Sequence, residues 1–267
     1  MSDDWNRLVH VADGTSLGTE PLRRLIDGDL AVLVVKNLLP AQDFATNKER
    51  ILPLFGRAVT KHYVNGTLTT IGPYLAKHLG DPDTYFTEAQ EAKELTSSIG
   101  FDLAERTRNG LRDLFGMRRF ETAVETDGRR YSESNVRIYA DGVDTPLHND
   151  NIMRDAADTG LLLAKLKHQL SVVVCIQECA EGGELVAYRK PWQAADEQHK
   201  ITGGLGYDEA AVAGVDAHEF KPEAGDVYLL NPTYFHAINR VGGADRVTMG
   251  FFFGFFDDDL TDGVTWI

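Results

Sequence analysis

The stretch AGDVYLLNPTYFHAINRVGG, residues 224–243, contains two short apolar runs, each bounded by Gly or Asn-Pro turn signals. Such runs predict β-strands. Further runs of this kind lie on both sides of it: SNVRIYADG (134–142), HQLSVVVCIQE (168–178), GGELVAYRK (182–190) and RVTMGFFFGFF (246–256). Several short strands at this spacing favour two sheets closed into a barrel. The mouth of such a barrel is a common place for a small-molecule or metal site.

The first part of the chain has a different texture. A strand-like run, AVLVVKNLL, occupies residues 31–39, but residues 41–55 and 101–115 carry apolar residues at helical spacing. In the second of these stretches the apolar side consists of Phe101, Ala104, Leu111, Leu114 and Phe115. Helices are therefore expected to dominate up to about residue 120.

Together these patterns predict an α+β fold: a double-stranded β-helix (jelly-roll, cupin-like) barrel with an N-terminal helical region packed on it. We expect one catalytic domain over residues 1–267. Residues 1–120 would supply mainly helical support and a lid, and residues 121–267 the jelly-roll core. The polar, Gly-rich stretch 196–216 is predicted to be an insertion between two barrel strands.

The amino-acid composition restricts the classes of molecule that the protein is expected to bind. The 27 basic and 41 acidic residues give a net charge of −14, which opposes attraction to phosphate backbones or anionic lipid. We therefore expect a small-molecule partner, with no nucleic acid and no membrane, and a monomer or homodimer. No apolar run approaches the ~20 residues of a membrane span, and MSDDWNRLVH has no signal-like core, so a cytoplasmic location is predicted.

The two cysteines, Cys175 and Cys179, are predicted to be core residues. They lie in one apparent strand, where four residues separate them by ~13 Å, too far to pair. A metal role would need further Cys or His at ligand spacing.

Three side chains from separate β elements form the strongest functional pattern. His148 and Asp150 follow the strand SNVRIYADG, and His236 follows AGDVYLLNPTYF. Two imidazoles and one carboxylate on one face of an octahedron leave three positions open, as in non-heme Fe(II) oxygenases. Two would take a chelating keto acid and one would take dioxygen. A bare His-x-Asp also arises by chance, with a surface His or a turn-capping Asp as the alternative.

A predicted anion receptor follows the second histidine. Arg246 and Thr248 project to one face of a β-strand because side chains repeat every two residues. A guanidinium can hold a carboxylate through two charge-assisted hydrogen bonds, and the hydroxyl adds a third. We expect them to bind the distal carboxylate of 2-oxoglutarate. The alternative is a strand-edge arginine paired to an acid such as Asp245.

The remaining singled-out histidines have no ligand partner at useful spacing. They are His10, His168, His199 and His218. Surface or structural roles are predicted for all four.

At these residues the C-terminal half resembles the Fe(II)/2-oxoglutarate oxygenase superfamily with its double-stranded β-helix. The matching pieces are HND (148–150), GGELVAY (182–188), AGDVYLLNPTYFHAINRV (224–241) and DRVTMGFF (245–252). More narrowly, RIYADGVDTPLHNDNIM (137–153) and QECAEGGELVAYRKPW (177–192) resemble the stand-alone halogenases of hapalindole-type alkaloid pathways. That group is similar to hydroxylases of free or N-substituted amino acids. The likeness extends, more weakly, to GPYLAKHLGDPDTYF (72–86).

One departure from those halogenases decides the implied reaction. They have glycine at the position of Asp150, where the missing carboxylate leaves a site for chloride. The resemblance therefore implies a hydroxylase that uses Fe(II), 2-oxoglutarate and O2, acts on an amino acid derivative or alkaloid-like metabolite, and releases succinate and CO2. Desaturation, epoxidation or ring closure is the alternative outcome of the same chemistry. A non-catalytic metal- or ligand-binding barrel is the alternative of another class.

The resemblance also nominates substrate-binding residues. Segment 72–86 corresponds to a helix over the barrel mouth in the similar halogenases, which nominates Tyr74, Leu75 and His78; core packing is the alternative. Met153 matches a pocket position, with ordinary core as the alternative.

Two further candidates follow from the strand that leads to the metal site. Asn135 and Arg137 alternate with Tyr139 on one of its faces, so they need polar partners if that face points into the barrel. A substrate carboxylate or an internal ion pair would serve for Arg137.

Overall fold

The computed structural model describes residues 5–267, in which strands account for most of the regular structure. The strands are β1 Arg7–Val11, β2 Val32–Lys36, β3 Val59–Tyr63, β4 Gly66–Ile71, β5 Arg119–Thr122, β6 Asn135–Tyr139, β7 Thr145–His148, β8 His168–Gln177, β9 Glu181–Gly182, β10 Leu185–Pro191, β11 Ala217–Phe220, β12 Val227–Leu230, β13 Tyr234–Ile238, β14 Val241–Gly242, β15 Arg246–Phe255 and β16 Asp262–Trp266. The α-helices are α1 Glu20–Asp27, α2 Ala41–Ile51, α3 Pro82–Ser98, α4 Leu103–Phe115 and α5 Ile152–Asp155. Short 3-10 segments are Leu52–Arg57, Leu75–Lys77, Leu162–Lys165, Ala194–His199 and Glu209–Val212.

Two largely antiparallel sheets form the barrel. The large sheet has the order β1-β2-β12-β8-β15-β6-β4-β3, with β16 and β5 attached beside β15. The small sheet has the order β11-β10-β13-β7. Their inner faces pack against each other, for example Val34 and Tyr228 of the large sheet with Leu185 and Ile238 of the small sheet. The predicted α+β barrel is confirmed.

Strand β15 separates the two sides of the large sheet. Its outer residues, Val247, Met249, Phe251, Phe253 and Phe255, join the main apolar core. The inner residues line a cavity between the sheets: Arg246, Thr248, Gly250 and Phe252. A strand buried on both faces reads as a nearly continuous apolar run. This explains why only two polar side chains interrupt RVTMGFFFGFF.

Helices cover the outer face of the large sheet. The predicted apolar side of residues 101–115 belongs to the core beneath α4, together with Leu22 and Leu25 of α1. None of the helices in residues 5–267 combines the length and apolar composition needed to cross a lipid bilayer. The helices therefore pack on the outer face of the large sheet, and its inner face lines the cavity.

The N-terminal part differs from expectation in three places. Strand β1, which pairs with β2, was not predicted. The hairpin β3–β4 was not predicted either, and it extends the large sheet beside β6. Segment 72–86 is not one helix, because a single 3-10 turn ends at Lys77 and α3 begins only at Pro82. Asp81 caps α3 by accepting a hydrogen bond from the backbone N–H of Thr84. Two prolines and two glycines in this segment explain the division.

The predicted insertion lies between β10 and β11. The backbone N–H of Tyr207 donates to the carbonyl of Leu147 in β7 at 2.7 Å. The side chain of Asn65, between β3 and β4, both donates to the carbonyl of Leu205 at 2.9 Å and accepts from its N–H at 2.7 Å. The insertion is thus joined to β7 and to the N-terminal hairpin.

Gly182 is predicted to be required for close packing. A Cβ added there would lie 1.8 Å from the carbonyl oxygen of Arg240, and φ is +66°. Gly214 has a similar φ of +74° but open space around it. We expect Gly214→Ala to lower the free energy of unfolding by about 1–2 kcal/mol for the left-handed backbone alone. Gly182→Ala should lower the free energy of unfolding, measured by urea denaturation, clearly more than Gly214→Ala does. Equal losses in the two variants would contradict a steric requirement at Gly182.

Candidate metal centre

Pairing of two strands of the small sheet brings the predicted metal ligands together. His236 of β13 lies opposite His148 of β7, and their ring centroids are 4.1 Å apart. Asp150 follows the end of β7, where its N–H donates to the carbonyl of Pro232 at 2.8 Å. Its Oδ2 lies 3.7 Å from Nε2 of His148 and 3.8 Å from Nε2 of His236. One ligand atom from each residue lies within 4.8 Å of the others.

Hydrogen bonds orient all three side chains. Nδ1 of His148 lies 2.8 Å from the carbonyl of Pro146, and Nδ1 of His236 lies 2.9 Å from the carbonyl of Tyr234. A neutral ring that donates through Nδ1 has a free lone pair on Nε2. The hydroxyl of Tyr74 donates to Oδ1 of Asp150 at 3.0 Å, which leaves Oδ2 toward the two Nε2 atoms.

The charge states suit a cation. Burial lowers the pKa of His148, and burial together with His148 lowers the pKa of His236 to about 3. Both imidazoles are therefore neutral near pH 7. Burial alone would raise the pKa of Asp150, but the two neighbouring imidazoles, Arg137 and the Tyr74 hydroxyl hold it below the ordinary value. Neutral imidazoles and an ionised carboxylate are the forms that bind a metal.

The cluster opens into the cavity between the sheets, which measures about 560 Å³ including its open part. The alternation predicted for β6 is present, since Asn135, Arg137 and Tyr139 all line this cavity. So do Arg246 and Thr248 from the neighbouring β15.

Arg246 is 2% exposed and has no acidic partner in residues 5–267. It donates to the hydroxyl of Tyr228 at 3.0 Å and lies over the ring of Tyr139 at 5.1 Å. Its electrostatic partners are two tyrosines and Cys175, so the alternative pairing with Asp245 is not found. A buried guanidinium with only neutral partners can receive an anion.

Glycine makes room for this arginine. Gly183 has a φ of +73°, and a Cβ there would lie 3.0 Å from Cδ of Arg246 and 2.5 Å from Sγ of Cys179. The GGELVAY motif is thus explained by the close approach of its backbone. Cys175 and Cys179 are both buried and free, as predicted.

The residues nominated for substrate binding lie in different surroundings. Tyr74 and Leu75 line a small adjoining cavity together with Asp150 and Phe252. His78 lies in a separate groove, with Nε2 3.3 Å from the carboxylate of Glu88.

Met153 on α5 is half-buried against the apolar cluster around Leu75 and lines neither cavity. Within residues 5–267, no other His, Cys, Asp or Glu side chains form a cluster of three with metal-ligand spacing.

Sequence reasoning missed one site residue and one contact within the site. Tyr228 carries a detectable signal, because alternation along β12 places it opposite to the core residues Val227 and Leu229. The contact between Tyr74 and Asp150 spans 76 residues and has no local signal.

Comparisons with known proteins give concordant results. The family model described as the carrier-protein-independent halogenase WelO5 matches residues 9–261. Leucinostatins biosynthesis cluster protein S of Purpureocillium lilacinum is 23% identical over 189 residues, which cover 67% of this chain and 76% of that protein.

Solved structures show the shared fold. An N-substituted L-amino acid dioxygenase from Burkholderia ambifaria AMMD matches with a TM-score of 0.58 and 18% identity over 92% of this chain and 90% of that one. The non-heme alpha-ketoglutarate-dependent carbocyclase SnoK from nogalamycin biosynthesis matches with a TM-score of 0.55 and 12% identity, covering 90% and 85% of the two chains.

Removal of one clustered imidazole should abolish tight metal binding. We expect the protein to bind one equivalent of Fe(II) without oxygen, as measured by calorimetry. His236→Ala should weaken binding more than ~100-fold, because even residues that only orient metal ligands contribute about 10–100-fold.

The control is His168→Ala. His168 lies 2.8 Å from Asp258 outside the cluster, so its loss should leave the affinity unchanged. Equal affinities in the two variants would exclude His236 as a ligand.

Proposed function

We propose that this chain, which belongs to the family of the carrier-protein-independent halogenase WelO5, is an Fe(II)- and 2-oxoglutarate-dependent oxygenase that hydroxylates an unactivated C–H bond of a free-standing small molecule. The observation that carries the proposal is the position of Asp150 within the histidine cluster. A carboxylate there completes three protein ligands, whereas the similar halogenases have glycine. We include in the proposal that residues 1–267 form one oxygenase domain.

His148, Asp150 and His236 would hold the iron. Two neutral imidazoles and one carboxylate suit Fe(II), and their common orientation leaves the cavity side open. Tyr74 keeps one oxygen of Asp150 engaged, so the carboxylate offers the other to the metal. Such support fixes ligand geometry.

Arg246 and Thr248 would hold the distal carboxylate of 2-oxoglutarate. They lie two residues apart on the inner face of β15, across the cavity from the histidines of the small sheet. Tyr228, already bonded to Arg246, places its hydroxyl beside the same site. A five-carbon diacid anchored there can extend toward the metal ligands.

Bound iron with 2-oxoglutarate and O2 supplies the oxidising power to cleave a C–H bond: one oxygen atom enters the product, the other enters succinate, and CO2 leaves. The protein's own residues bind the co-substrate, exclude water and position the target carbon. An amino acid derivative or alkaloid-like metabolite is the proposed substrate class, supported by the matched dioxygenase and biosynthesis proteins. Desaturation, epoxidation or cyclisation would need only a different position of the substrate.

Loss of Arg246 should impair co-substrate binding selectively. Wild-type protein with Fe(II) should give a weak visible charge-transfer band on adding 2-oxoglutarate without oxygen, because adjacent open positions permit chelation. In Arg246→Ala, titration of this band should show at least ~30-fold weaker binding, since truncating one partner of a charge pair costs ~2–5 kcal/mol.

The matched control is Arg240→Ala, because that side chain is 74% exposed and should leave the titration unchanged. No band in folded, iron-loaded wild type would refute the proposal. Unchanged binding in Arg246→Ala would assign the carboxylate to another basic residue, Arg137 first.

Substitution of the clustered carboxylate tests the type of reaction. Asp150→Gly should abolish or sharply reduce hydroxylation, because the metal loses one of three protein ligands and a negative charge. Product mass spectrometry with and without chloride should detect any halogenated product at the vacated position. Asp150→Asn keeps the size of the side chain and tests the charge. Wild-type hydroxylation in the glycine variant would exclude Asp150 as a ligand.

A further inference from the structure

The inner face of β6 carries an amide without a partner. Asn135 is 2% exposed and lines the metal cavity, yet neither its Oδ1 nor its Nδ2 finds a hydrogen-bond partner in residues 5–267. Leaving a buried polar group unpaired costs about 1–3 kcal/mol. A buried amide directed into a cavity therefore indicates a polar group of a ligand.

Arg137 lies two residues further along the same face, ~7 Å from Asn135. Its guanidinium lies over the ring of Tyr74 at 5.0 Å. It has no salt-bridge partner within residues 5–267, although the carboxylate of Asp150 acts on it electrostatically. The internal ion pair considered from the sequence is therefore absent, and the arginine keeps unused donors at the cavity.

The loaded site would carry one uncompensated positive charge. Fe(II), Arg137 and Arg246 would supply four positive charges, whereas 2-oxoglutarate and Asp150 would supply three negative ones and the imidazoles are neutral. The pKa of Tyr139 agrees with this excess of positive charge. Burial alone would raise that pKa, but Arg137 and Arg246 hold it below the ordinary value. A cation in an interior cavity is costly without a partner. One further anion is required.

We propose, on the basis of the function proposed above, that Asn135 and Arg137 form a second carboxylate-binding site beside the metal, which takes a carboxylate of the molecule to be oxidised. A guanidinium with a neighbouring amide donor matches a planar carboxylate, as Arg246 with Thr248 does.

Part of the cavity wall is apolar and includes Leu185, Leu230, Ile238 and Phe252. The substrate class is therefore a carboxylic acid with an apolar body. The metal-side carboxylate of 2-oxoglutarate is the other source of the same chemistry, and the experiment distinguishes the two.

The test uses a minimal acid and its neutral isostere: 4-methylpentanoate labelled with ¹³C in the carboxyl group, and 4-methylpentanamide. Each is titrated without oxygen into protein loaded with Fe(II) and saturating 2-oxoglutarate, and paramagnetic broadening of the ¹³C signal is measured against Zn(II)-loaded protein. We expect the acid to bind in the millimolar range with broadening, and the amide to bind at least tenfold more weakly.

Three variants locate the site. Arg137→Met and Asn135→Asp should each weaken binding of the acid at least tenfold, and the second keeps side-chain size in case the first fails to fold. Arg240→Met makes the same substitution at a side chain that is 74% exposed and does not line the metal cavity, so acid binding should not change.

The results that would contradict the second carboxylate site differ from the result that would refute the proposed function. Equal binding of acid and amide, or unchanged acid binding in both β6 variants, overturns the second site. No acid binding to loaded wild type, with at least tenfold weaker 2-oxoglutarate binding in Arg137→Met, assigns the residue to the co-substrate and also overturns it. Failure of wild type to give the charge-transfer band would instead refute the proposed function.

Discussion

The register between β7 and β13 is the constraint on which the site depends. His148 and His236 can meet only because these antiparallel strands place them directly opposite each other. A slip of one residue would turn one imidazole to the other face of the sheet, since side chains alternate. Neighbouring contacts support this register: β13 also pairs with β10, and the insertion holds the carbonyl of Leu147.

The large sheet forms the cavity wall opposite the two histidines, and the two faces of its strand β15 have different roles. Odd-numbered residues of β15 bury apolar surface in the main core, and Arg246, Thr248, Gly250 and Phe252 line the cavity. The core that stabilises the sheet therefore also immobilises the strand that carries Arg246 and Thr248. Stability and the proposed anion recognition therefore depend on the same strand, so a substitution that bends β15 would disturb both.

Several features could be predicted because their signals are local. Short apolar runs between Gly, Asn and Pro indicated the strands, and His-x-Asp with a distant His indicated a cluster that the structure brings together. Hairpin β3–β4 was missed because most of its residues are exposed or half-buried, so it lacks a clear alternation. The support of Asp150 by Tyr74 was missed because it arises only from tertiary packing. Family resemblance misjudged segment 72–86, where Pro and Gly interrupt the helix.

His148 and His236 are far apart in the sequence, so the order in which the chain is synthesised determines when they can meet. Strand β7 is made well before β13, and β15, which joins β6 to β8 in the large sheet, follows both. Domains fold as units as the chain emerges, and non-local pairing is slow. The three clustered side chains therefore meet only after most of the barrel is complete. A nascent chain that has reached only the end of β7 holds two of the clustered side chains, His148 and Asp150, and the cluster is completed when β13 adds His236.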